Sequence, residues 1–335
     1  MLNFIIRRSG ISVLTLFFIS FVIFMLLAMA PGDPTASLPL SIPAEVKAAI
    51  RESLGLGQNP FIRFVKWFYA FFWVEPMFTI EQLTGLNTYW DQQRIISFQS
   101  RSPVMDIVWQ RIPQTLWVVG LGYLVGTLIA LPIGVISAYR QYSWFDQIGT
   151  FISMVGFSVP TFFTGVLLIV IFSVNLGWFP SIYDTTLVVD SWETFVKQVK
   201  QMVMPVSVLA LYNAAQISRF MRASMLDNLN QDYVRTARAK GLSEKAVVLV
   251  HVMRNSMIPV VTVIALGVPT VFSGAIITEQ VFKVNGLGQL LITAIQANDI
   301  PMVQTLTVIF AVLIILFNLI ADVLYGVLDP RIRYD

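Results

Sequence analysis

The chain has 335 residues, of which 56% are hydrophobic and 12% are charged. Soluble proteins average about 45–50% apolar and about 25% charged residues, so this composition excludes both a soluble globular fold and intrinsic disorder. Because the chain has no cysteine and a single histidine, His251, disulfide frameworks, thiolate metal sites and cysteine nucleophiles are excluded, and His-based metal or catalytic centres are disfavoured. The net charge of +3 is too small for a typical nucleic-acid binder.

Six apolar stretches without Asp, Glu, Lys or Arg reach or approach the roughly 20 residues that a membrane helix needs. They are residues 9–30, 112–139, 147–183, 201–218, 255–278 and 300–321. The third is too long for one helix, and we expect it to end near Asn175, with residues 177–180 at the membrane interface. The fourth is the weakest, since it is short and carries Asn213 and Gln216. The sequence therefore predicts an all-α membrane protein with six transmembrane helices.

The first stretch has some features of a signal peptide. Arg7 and Arg8 precede it, and residues 28–30 have the small-residue pattern of a cleavage site. Its apolar run of 22 residues exceeds the usual core of about 7–15 residues. A Pro at position 31 also disfavours cleavage. We therefore expect a retained membrane helix.

The distribution of basic residues predicts the orientation. Segments 1–8, 140–146, 219–254 and 322–335 hold 12 of the 22 Lys and Arg residues in about a fifth of the chain. Lys and Arg concentrate on the cytoplasmic side, so both termini are predicted to be cytoplasmic. The predicted organisation is a tail and first helix (1–30), a long, aromatic-rich external insertion (31–111), a five-helix core (112–326) with a cytoplasmic loop (219–254), and a cytoplasmic tail (327–335).

Glycine patterns give little sign of nucleotide binding. The chain has no G-x-x-x-x-G-K-[ST] run, so no P-loop is predicted. Gly286 and Gly288 lack the strand-to-helix context of a dinucleotide site and are interpreted as a turn in an external loop. Gly122 and Gly126 form one G-x-x-x-G pattern on the second stretch, which permits close helix approach but is common by chance.

The charges of the chain lie outside the apolar stretches. Glu279 follows the outer end of the fifth stretch, and Asp322 follows the sixth and is interpreted as an interfacial carboxylate near Arg331 and Arg333. Proton-driven carriers and voltage-gated channels usually need charges within the membrane. The six apolar stretches contain no charged residue, which argues against both classes of protein.

The cytoplasmic loop carries the clearest local signals. Asp232 suits a helix N-terminus and Lys240 a C-terminus, and Gly241 suits the left-handed position that ends a helix. Ser243 is a candidate N-cap of a second helix with Glu244 in its first turn. The pattern predicts a helix, a glycine turn and a second helix projecting from the membrane. A small apolar docking surface is predicted from Tyr233, Val234, Ala237 and Leu242.

The run from Asp232 to Leu242, DYVRTARAKGL, strongly resembles the cytoplasmic "EAA" loop of ABC importer permeases, specifically the first (B-type) subunit of the dipeptide/oligopeptide/nickel branch. Arg235, Thr236 and Ala237 occupy the positions of the Glu-Ala-Ala triplet, and Gly241 that of the family glycine. The resemblance continues, in the family's order, at residues 31–34, 251, 254–255, 259, 286–288 and 329–331.

The resemblance implies a type I ABC importer permease fold in a bacterial or archaeal cytoplasmic membrane. It implies a non-enzymatic subunit without metal or cofactor, working with a second permease subunit, two ATP-binding subunits that hold ATP and Mg, an extracytoplasmic substrate-binding protein and membrane lipid. The residues implied to couple to the ATPase are Asp232, Tyr233, Arg235, Thr236, Ala237, Arg238, Lys240, Gly241 and Leu242.

Several alternatives stay open from the sequence. Peptides are the substrate class that the resemblance implies, with nickel complexes, glutathione, opines and oligosaccharides as alternatives. An ion-coupled carrier or channel acting alone, and a membrane-bound receptor using the external insertion, are the competing functions. The polar residues Ser158, Asn213, Gln216 and Ser273 are candidates either for the translocation path or for ordinary helix–helix hydrogen bonds.

Overall fold

The computed structural model describes residues 2–29, 43, 45, 57–85, 92–273 and 275–328. The regular elements in these ranges are helices, apart from one isolated antiparallel bridge between Ile96 and Pro103. In chain order they are α1 (Leu2–Ala28), α2 (Pro60–Tyr69, continued through Ala70–Val74 to Glu75–Thr84), α3 (Val104–Tyr139), α4 (Trp144–Ser158), α5 (Thr161–Asn175), α6 (Trp192–Leu229), α7 (Asp232–Ala239), α8 (Glu244–Ala246, continued through Val247–Val252 to Met253–Ser273), α9 (Ile276–Phe282), α10 (Leu287–Gln296) and α11 (Ile300–Leu328).

Four of these helices are long and apolar enough to cross a membrane, namely α1, α3, α8 and α11. The bent pair α4 and α5 makes a fifth candidate if it forms one span. The prediction of an all-α membrane protein is therefore confirmed. The helix α6 contains the predicted fourth stretch but is not among the candidates by composition, so the count of six stays a prediction.

The third predicted stretch is not one continuous helix. The helix α4 ends at Ser158, and the chain turns by 103° before α5. Val159 is extended, with φ −80° and ψ 125°, because a residue that precedes proline is disfavoured in the helical region. Pro160 then occupies the N-cap of α5. The predicted end near Asn175 agrees with the end of α5.

The chain divides into two compact units, which are described separately. The first comprises Met1–Arg8, Pro113–Gln289 and Leu316–Asp335, and the second comprises Ser9–Ile112 and Leu290–Ile315.

Within the first unit, α3 and α6 lie in close contact through three glycines. A methyl group added at Gly122 would lie 2.7 Å from Cβ of Leu209, and one added at Gly134 would lie 2.6 Å from Cβ of Met221. At Gly126 the added group would lie 2.8 Å from a backbone oxygen of α6. The G-x-x-x-G pattern is therefore part of a helix–helix contact. Because the contacts advance together along both helices, α3 and α6 run parallel.

The first unit also joins the beginning of α1 to the end of α11. Arg8 Nη1 lies 3.2 Å from Asp322 Oδ2, and both side chains are half-exposed. Arg331 and Arg333, the predicted neighbours of Asp322, lie outside the described residues. The ion pair places the start of α1 and the end of α11 on the same side.

In the second unit, three carboxylates position the segment between α2 and α3. Arg94 lies 2.8 Å from both Glu75 of α2 and Asp106 of α3. Asp299, at the start of α11, accepts hydrogen bonds from the hydroxyl of Ser97 and from the backbone N–H of Phe98. Part of the predicted external insertion is therefore ordered by α2, α3 and α11, and its last residues, 104–111, already belong to α3.

Candidate functional site

The helix α7 forms where the sequence predicts it. Its N-cap, Gln231, has extended backbone angles, Asp232 lies in the first turn and Arg238 in the last. Acidic residues at the N-terminus and basic residues at the C-terminus complement the helix dipole. The helix is short because the signals for starting and ending it are only eight residues apart.

The end of α7 is a complete glycine cap. Gly241 has φ +76°, a conformation in which residues with a Cβ are strained. Its N–H donates to the carbonyl of Arg238 at 2.9 Å, and the N–H of Leu242 donates to the carbonyl of Ala237 at 3.4 Å, which is the Schellman pattern. Apart from its two chain neighbours, no described residue has a heavy atom within 4 Å of a Cβ added at Gly241. The backbone conformation, and not crowding, is therefore the reason for glycine here.

The next helix starts immediately. The hydroxyl of Ser243 accepts a hydrogen bond from the N–H of Ala246, and Glu244 lies in the first turn, as predicted. Across the turn, Arg238 Nε lies 2.7 Å from Glu244 Oε1, with both side chains partly exposed. Such a surface pair contributes about 0–1 kcal/mol, so it favours the turn without fixing it. The helix that begins here continues into the predicted fifth span.

The inner face of α7 is buried against α3, α6 and α8. Val234 is 0% and Ala237 is 6% exposed, since both lie in one apolar cluster. The cluster joins α3, α6, α7 and α8 through Ala130, Val135, Ala138, Ile217, Met221, Met225, Val247, Val248, Val252 and Val260. The predicted docking surface is consequently smaller than the sequence suggested, because Val234 and Ala237 face the chain's own core. Through these two side chains α7 packs on α3, α6 and α8.

The outer face of α7 is polar and solvated. The side chain of Arg235 is 73% exposed and lies 3.3 Å from that of Asp232, which is 96% exposed. Lys240 is exposed as well. Tyr233 and Leu242 are the two members of the predicted apolar set that remain at the surface, at 37% and 42% exposure. The Thr236 hydroxyl is used within the helix, donating to the carbonyl of Asp232.

Polar contacts next to α7 link α6 to α8 and to α4. The Ser224 hydroxyl of α6 donates to the carbonyl of Ser256 in α8 at 2.8 Å. The Ser256 hydroxyl lies 2.9 Å from the carbonyl of Val252 in its own helix and 3.2 Å from that of Ser224, and it shares its one proton between them. Arg222 of α6 makes two bonds with Asp146 at the start of α4, at 2.6 and 2.7 Å. A displacement of α7 would therefore reach α3, α4, α6 and α8 through packed side chains and these bonds.

The four candidate path residues have different surroundings. Ser158, at the end of α4, is exposed, and Gln216 of α6 is half-buried. Asn213 is half-buried and donates to the carbonyl of Leu209 in its own helix at 2.9 Å. Ser273 ends α8, and its side chain lies outside what the structure describes. The structure therefore leaves their assignment to the path a prediction.

A buried carboxylate occupies the opposite end of the first unit. Glu279 of α9 is 0% exposed. Its Oε1 accepts from the Thr115 hydroxyl at 3.0 Å, and its Oε2 accepts from the N–H of Gln289 at 2.9 Å. The same Thr115 oxygen accepts from the N–H of Leu287 at 2.8 Å. Burial raises the pKa of Glu279, and the hydrogen bonds from Gln289 and Thr115 oppose that rise.

Gly286 and Gly288, the two glycines of the predicted turn, make this site possible. A Cβ added at Gly286 would lie 2.3 Å from Glu279 Oε1 and 2.5 Å from the Thr115 hydroxyl oxygen. One added at Gly288 would lie 2.9 Å from Cα of Ile276. The sequence indicated a turn at these glycines, but their link to Glu279 was missed. No local pattern could show it, since Thr115 and Glu279 are 164 positions apart.

Comparison with known proteins places these features in a family. Residues 130–334 match the family described as binding-protein-dependent transport system inner membrane component. Residues 1–119 match the corresponding N-terminal family of membrane components. Together the two matches cover both the helices around α7 and the α1–α2 region.

Curated relatives match along the whole chain. The oligopeptide transport system permease protein AppB of Bacillus subtilis is 36% identical over 338 residues, covering 100% of both chains. The glutathione transport system permease protein GsiC of Escherichia coli K12 is 37% identical over 335 residues, again covering 100% of both. The chain belongs to the family of inner membrane components of binding-protein-dependent transport systems, and it is a transmembrane permease subunit.

Proposed function

We propose that this chain forms half of the translocation path of an ATP-driven peptide importer and couples to an ATPase through α7 and Gly241. The proposal rests on the amphipathic character of α7, which has one buried apolar face and one exposed charged face. Its inner face is part of the apolar cluster shared with α3, α6 and α8. Its outer face presents Asp232, Arg235 and Lys240 to solvent. A partner that moves this face would move the membrane helices with it.

We propose six spans, with α6 as the fourth. Its composition is less apolar than that of the other spans. It runs parallel to α3, however, and the backbones of the two helices approach closely at Gly126 and Gly134. A helix that accompanies a spanning helix over this length occupies the same depth in the membrane. Two parallel spans need a return crossing between them, and the bent pair α4 and α5 supplies it.

The contact between Arg8 and Asp322 supports the same count. If the start of α1 and the end of α11 share one side, the number of crossings between them is even. The four helices that qualify by composition, together with α6 and the bent pair, make six. The density of Lys and Arg around α7 favours the cytoplasm for that side.

In the proposed mechanism, the chain itself performs no covalent chemistry. Two ATP-binding subunits would hold ATP and Mg, and one of them would dock on the outer face of α7. A second permease subunit would complete the path, to which Ser158, Asn213, Gln216 and Ser273 are candidate contributors. A substrate-binding protein would deliver the solute outside. ATP would act by favouring one of two arrangements of the membrane helices.

The solute proposed is a peptide. Support comes from the full-length similarity to an oligopeptide permease and to a glutathione permease, since glutathione is itself a small peptide. Nickel complexes, opines and oligosaccharides are the remaining classes that the resemblance implied. They are distinguished by the ligand of the substrate-binding protein.

The test is purification of this chain from its native membrane in mild detergent, with identification of every protein that accompanies it. A second permease subunit, P-loop ATPases and a solute receptor are expected, and the reassembled complex should accumulate peptide in vesicles only with ATP. A homo-oligomer without ATPase that transports on an ion gradient would contradict the proposal and favour an ion-coupled carrier. Binding of solute without uptake would instead favour a receptor.

A further inference from the structure

A cavity of about 620 Å³ lies within the second unit. It is lined by α2, by the 92–101 segment, by Phe24 near the end of α1 and by the first turn of α11. The proposed coupling site makes no use of it. Its lining combines aromatic rings with cationic and amide side chains.

The charged side chains that line this cavity are all cationic. They are Arg63, Lys66, Arg94 and Arg101. Arg94 is neutralised by Glu75 and Asp106, and Lys66 donates to Gln58 at 3.0 Å. Within the described part of the chain, Arg63 and Arg101 have no anionic partner. Of these two, Arg101 is exposed, whereas Arg63 is half-buried. A half-buried guanidinium without a counter-charge is costly, and burial lowers the pKa of Arg63 accordingly.

Two further donors in the lining have no acceptor among the described residues. They are Trp67 Nε1 and Gln304 Nε2, on side chains that are only 8% and 4% exposed. Unpaired buried polar groups are rare and need an explanation. Arg101 is held at φ +58°, a strained conformation for a residue with a Cβ. Uncommitted cations and donors together indicate a ligand that offers several acceptor oxygens and negative charge.

The surroundings of the cavity point to lipid. Rings of α2, including Phe64, pack on Phe17, Phe21 and Phe24 in the C-terminal half of the α1 span. The helix α2 therefore lies at the depth of one membrane leaflet. It also exposes large apolar side chains at four-residue spacing, which suits a helix at the lipid interface. These side chains are Phe61, Val65, Tyr69 and Trp73.

We propose that this cavity binds the phosphate head group of an anionic phospholipid, with Arg63 and Arg101 as its counter-charges and the exposed rings of α2 beside its acyl chains. A guanidinium binds phosphate oxygens in pairs of charge-assisted hydrogen bonds. Of the four exposed side chains only Tyr69 lines the cavity, and the other three continue the apolar face of α2 beyond it. A water-borne solute would gain nothing from that face, whereas a lipid uses both the cavity and the face. The inference concerns the membrane environment of the permease and does not depend on ATPase coupling.

The test uses the intact complex in nanodiscs of phosphatidylcholine with a small fraction of phosphatidylglycerol. Native mass spectrometry measures which lipid stays bound after release from the nanodisc. Phosphatidylglycerol is expected to be enriched over phosphatidylcholine. Arg63→Gln should weaken its retention by about tenfold or more, which is the scale of one charge-assisted hydrogen bond.

Two further variants make this result specific. Trp67→Phe keeps the ring and removes the N–H donor, and it should weaken retention by a smaller factor. Lys200→Gln removes an exposed cation of α6 that does not line the cavity, and it should leave retention unchanged. Each variant is compared at equal thermal stability of the complex.

Three results would overturn the inference. One is equal retention of phosphatidylglycerol by the unmodified chain and Arg63→Gln. Another is a loss of lipid retention in Lys200→Gln equal to that in Arg63→Gln, which would show that retention depends on the overall charge of the protein and not on this cavity. A third is displacement of the lipid by inorganic phosphate or by a dipeptide at low concentration, which would assign the cavity to a soluble anion. Because lipid retention is read without uptake, a failure here is distinct from a failure of the importer proposal.

Discussion

The two ends of the first unit treat polar groups in opposite ways. At α7, Asp232, Arg235 and Arg238 are solvated, and their ion pairs are exposed and local in sequence. At the other end, Glu279 is fully buried, and its partners come from α3 and from the first turn of α10. Exposed pairs exchange partners at little cost, whereas a buried carboxylate that loses a donor loses stability. The first end can accept a partner protein, and the second is built to hold α3, α9 and α10 together.

Gly286→Ala is expected to have the largest effect. The new methyl group would lie 2.3 Å from Glu279 Oε1, so the carboxylate or the loop must move and its hydrogen bonds are lost. We expect a loss of about 3 kcal/mol or more, measured as a fall in thermal stability and in the amount of folded chain in the membrane. Gly10→Ala is the control, since no atom of the described residues lies within 4 Å of its added Cβ, apart from its chain neighbours and the backbone of its own helix. Equal stability of the two variants would remove the steric argument.

Thr115→Val tests the hydrogen bonds without adding volume. The hydroxyl donates to Glu279 and accepts from the N–H of Leu287, so its loss leaves two buried groups unpaired. A destabilisation of about 1–3 kcal/mol is expected, measured by thermal unfolding in detergent. Thr164→Val is a suitable comparison, because that hydroxyl is exposed and makes one long bond, of 3.5 Å, to its own helix. If both variants unfold at the same temperature, the hydrogen bonds of Thr115 with Glu279 and Leu287 do not stabilise the fold.

Glu279 also predicts a pH dependence. Its pKa is raised in the folded chain by burial, so the folded state binds more protons than the unfolded state above pH 4.5, the ordinary value. The stability that Glu279 contributes is then complete below that pH and is lost as the pH rises through the folded pKa. Unfolding temperatures between about pH 4.5 and pH 8 should fall more steeply for the unmodified chain than for Glu279→Gln. Parallel slopes would show that another group titrates.

Gly241→Val addresses the α7 end, where a smaller effect on folding and a large one on transport are expected. A β-branched residue at φ +76° costs about 1–2 kcal/mol or shifts the turn. Membrane insertion should survive, while ATP-driven uptake and its coupling to ATP hydrolysis are lost. Gly241→Asn is the matched control, since Asn tolerates this conformation. Normal uptake by the Val variant would contradict the proposal that the turn at Gly241 couples this chain to the ATPase.

Arg235→Glu should have the smallest effect on the chain itself. Its side chain is 73% exposed, so stability should change by no more than about 0.5 kcal/mol. Reversing the charge on the proposed docking face should reduce ATPase co-purification several-fold. Arg235→Lys keeps the charge and should retain the partner. Undiminished co-purification of the Glu variant would show that this position is outside the contact.

The sequence alone determined the features that depend on neighbouring residues. The limits of α7, the left-handed Gly241 and the Ser243 cap follow from local backbone preferences, and the structure has all three. The apolar stretches of α1, α3, α8 and α11 follow equally from composition. In these regions each backbone hydrogen bond joins residues only a few positions apart, so the local sequence pattern is sufficient to predict where a helix begins and ends.

Only the tertiary structure decided which surfaces meet. In the folded chain, Val234 and Ala237 lie in the core. The helix α6 packs beside α3 at Gly122 and Gly134, and Glu279 is buried with Thr115 as a hydrogen-bond partner. Each outcome joins residues far apart in the chain, where neither periodicity nor capping carries information. The physical reason is that burial and close approach depend on the three-dimensional neighbours of a side chain, whereas helix limits depend on its neighbours in sequence.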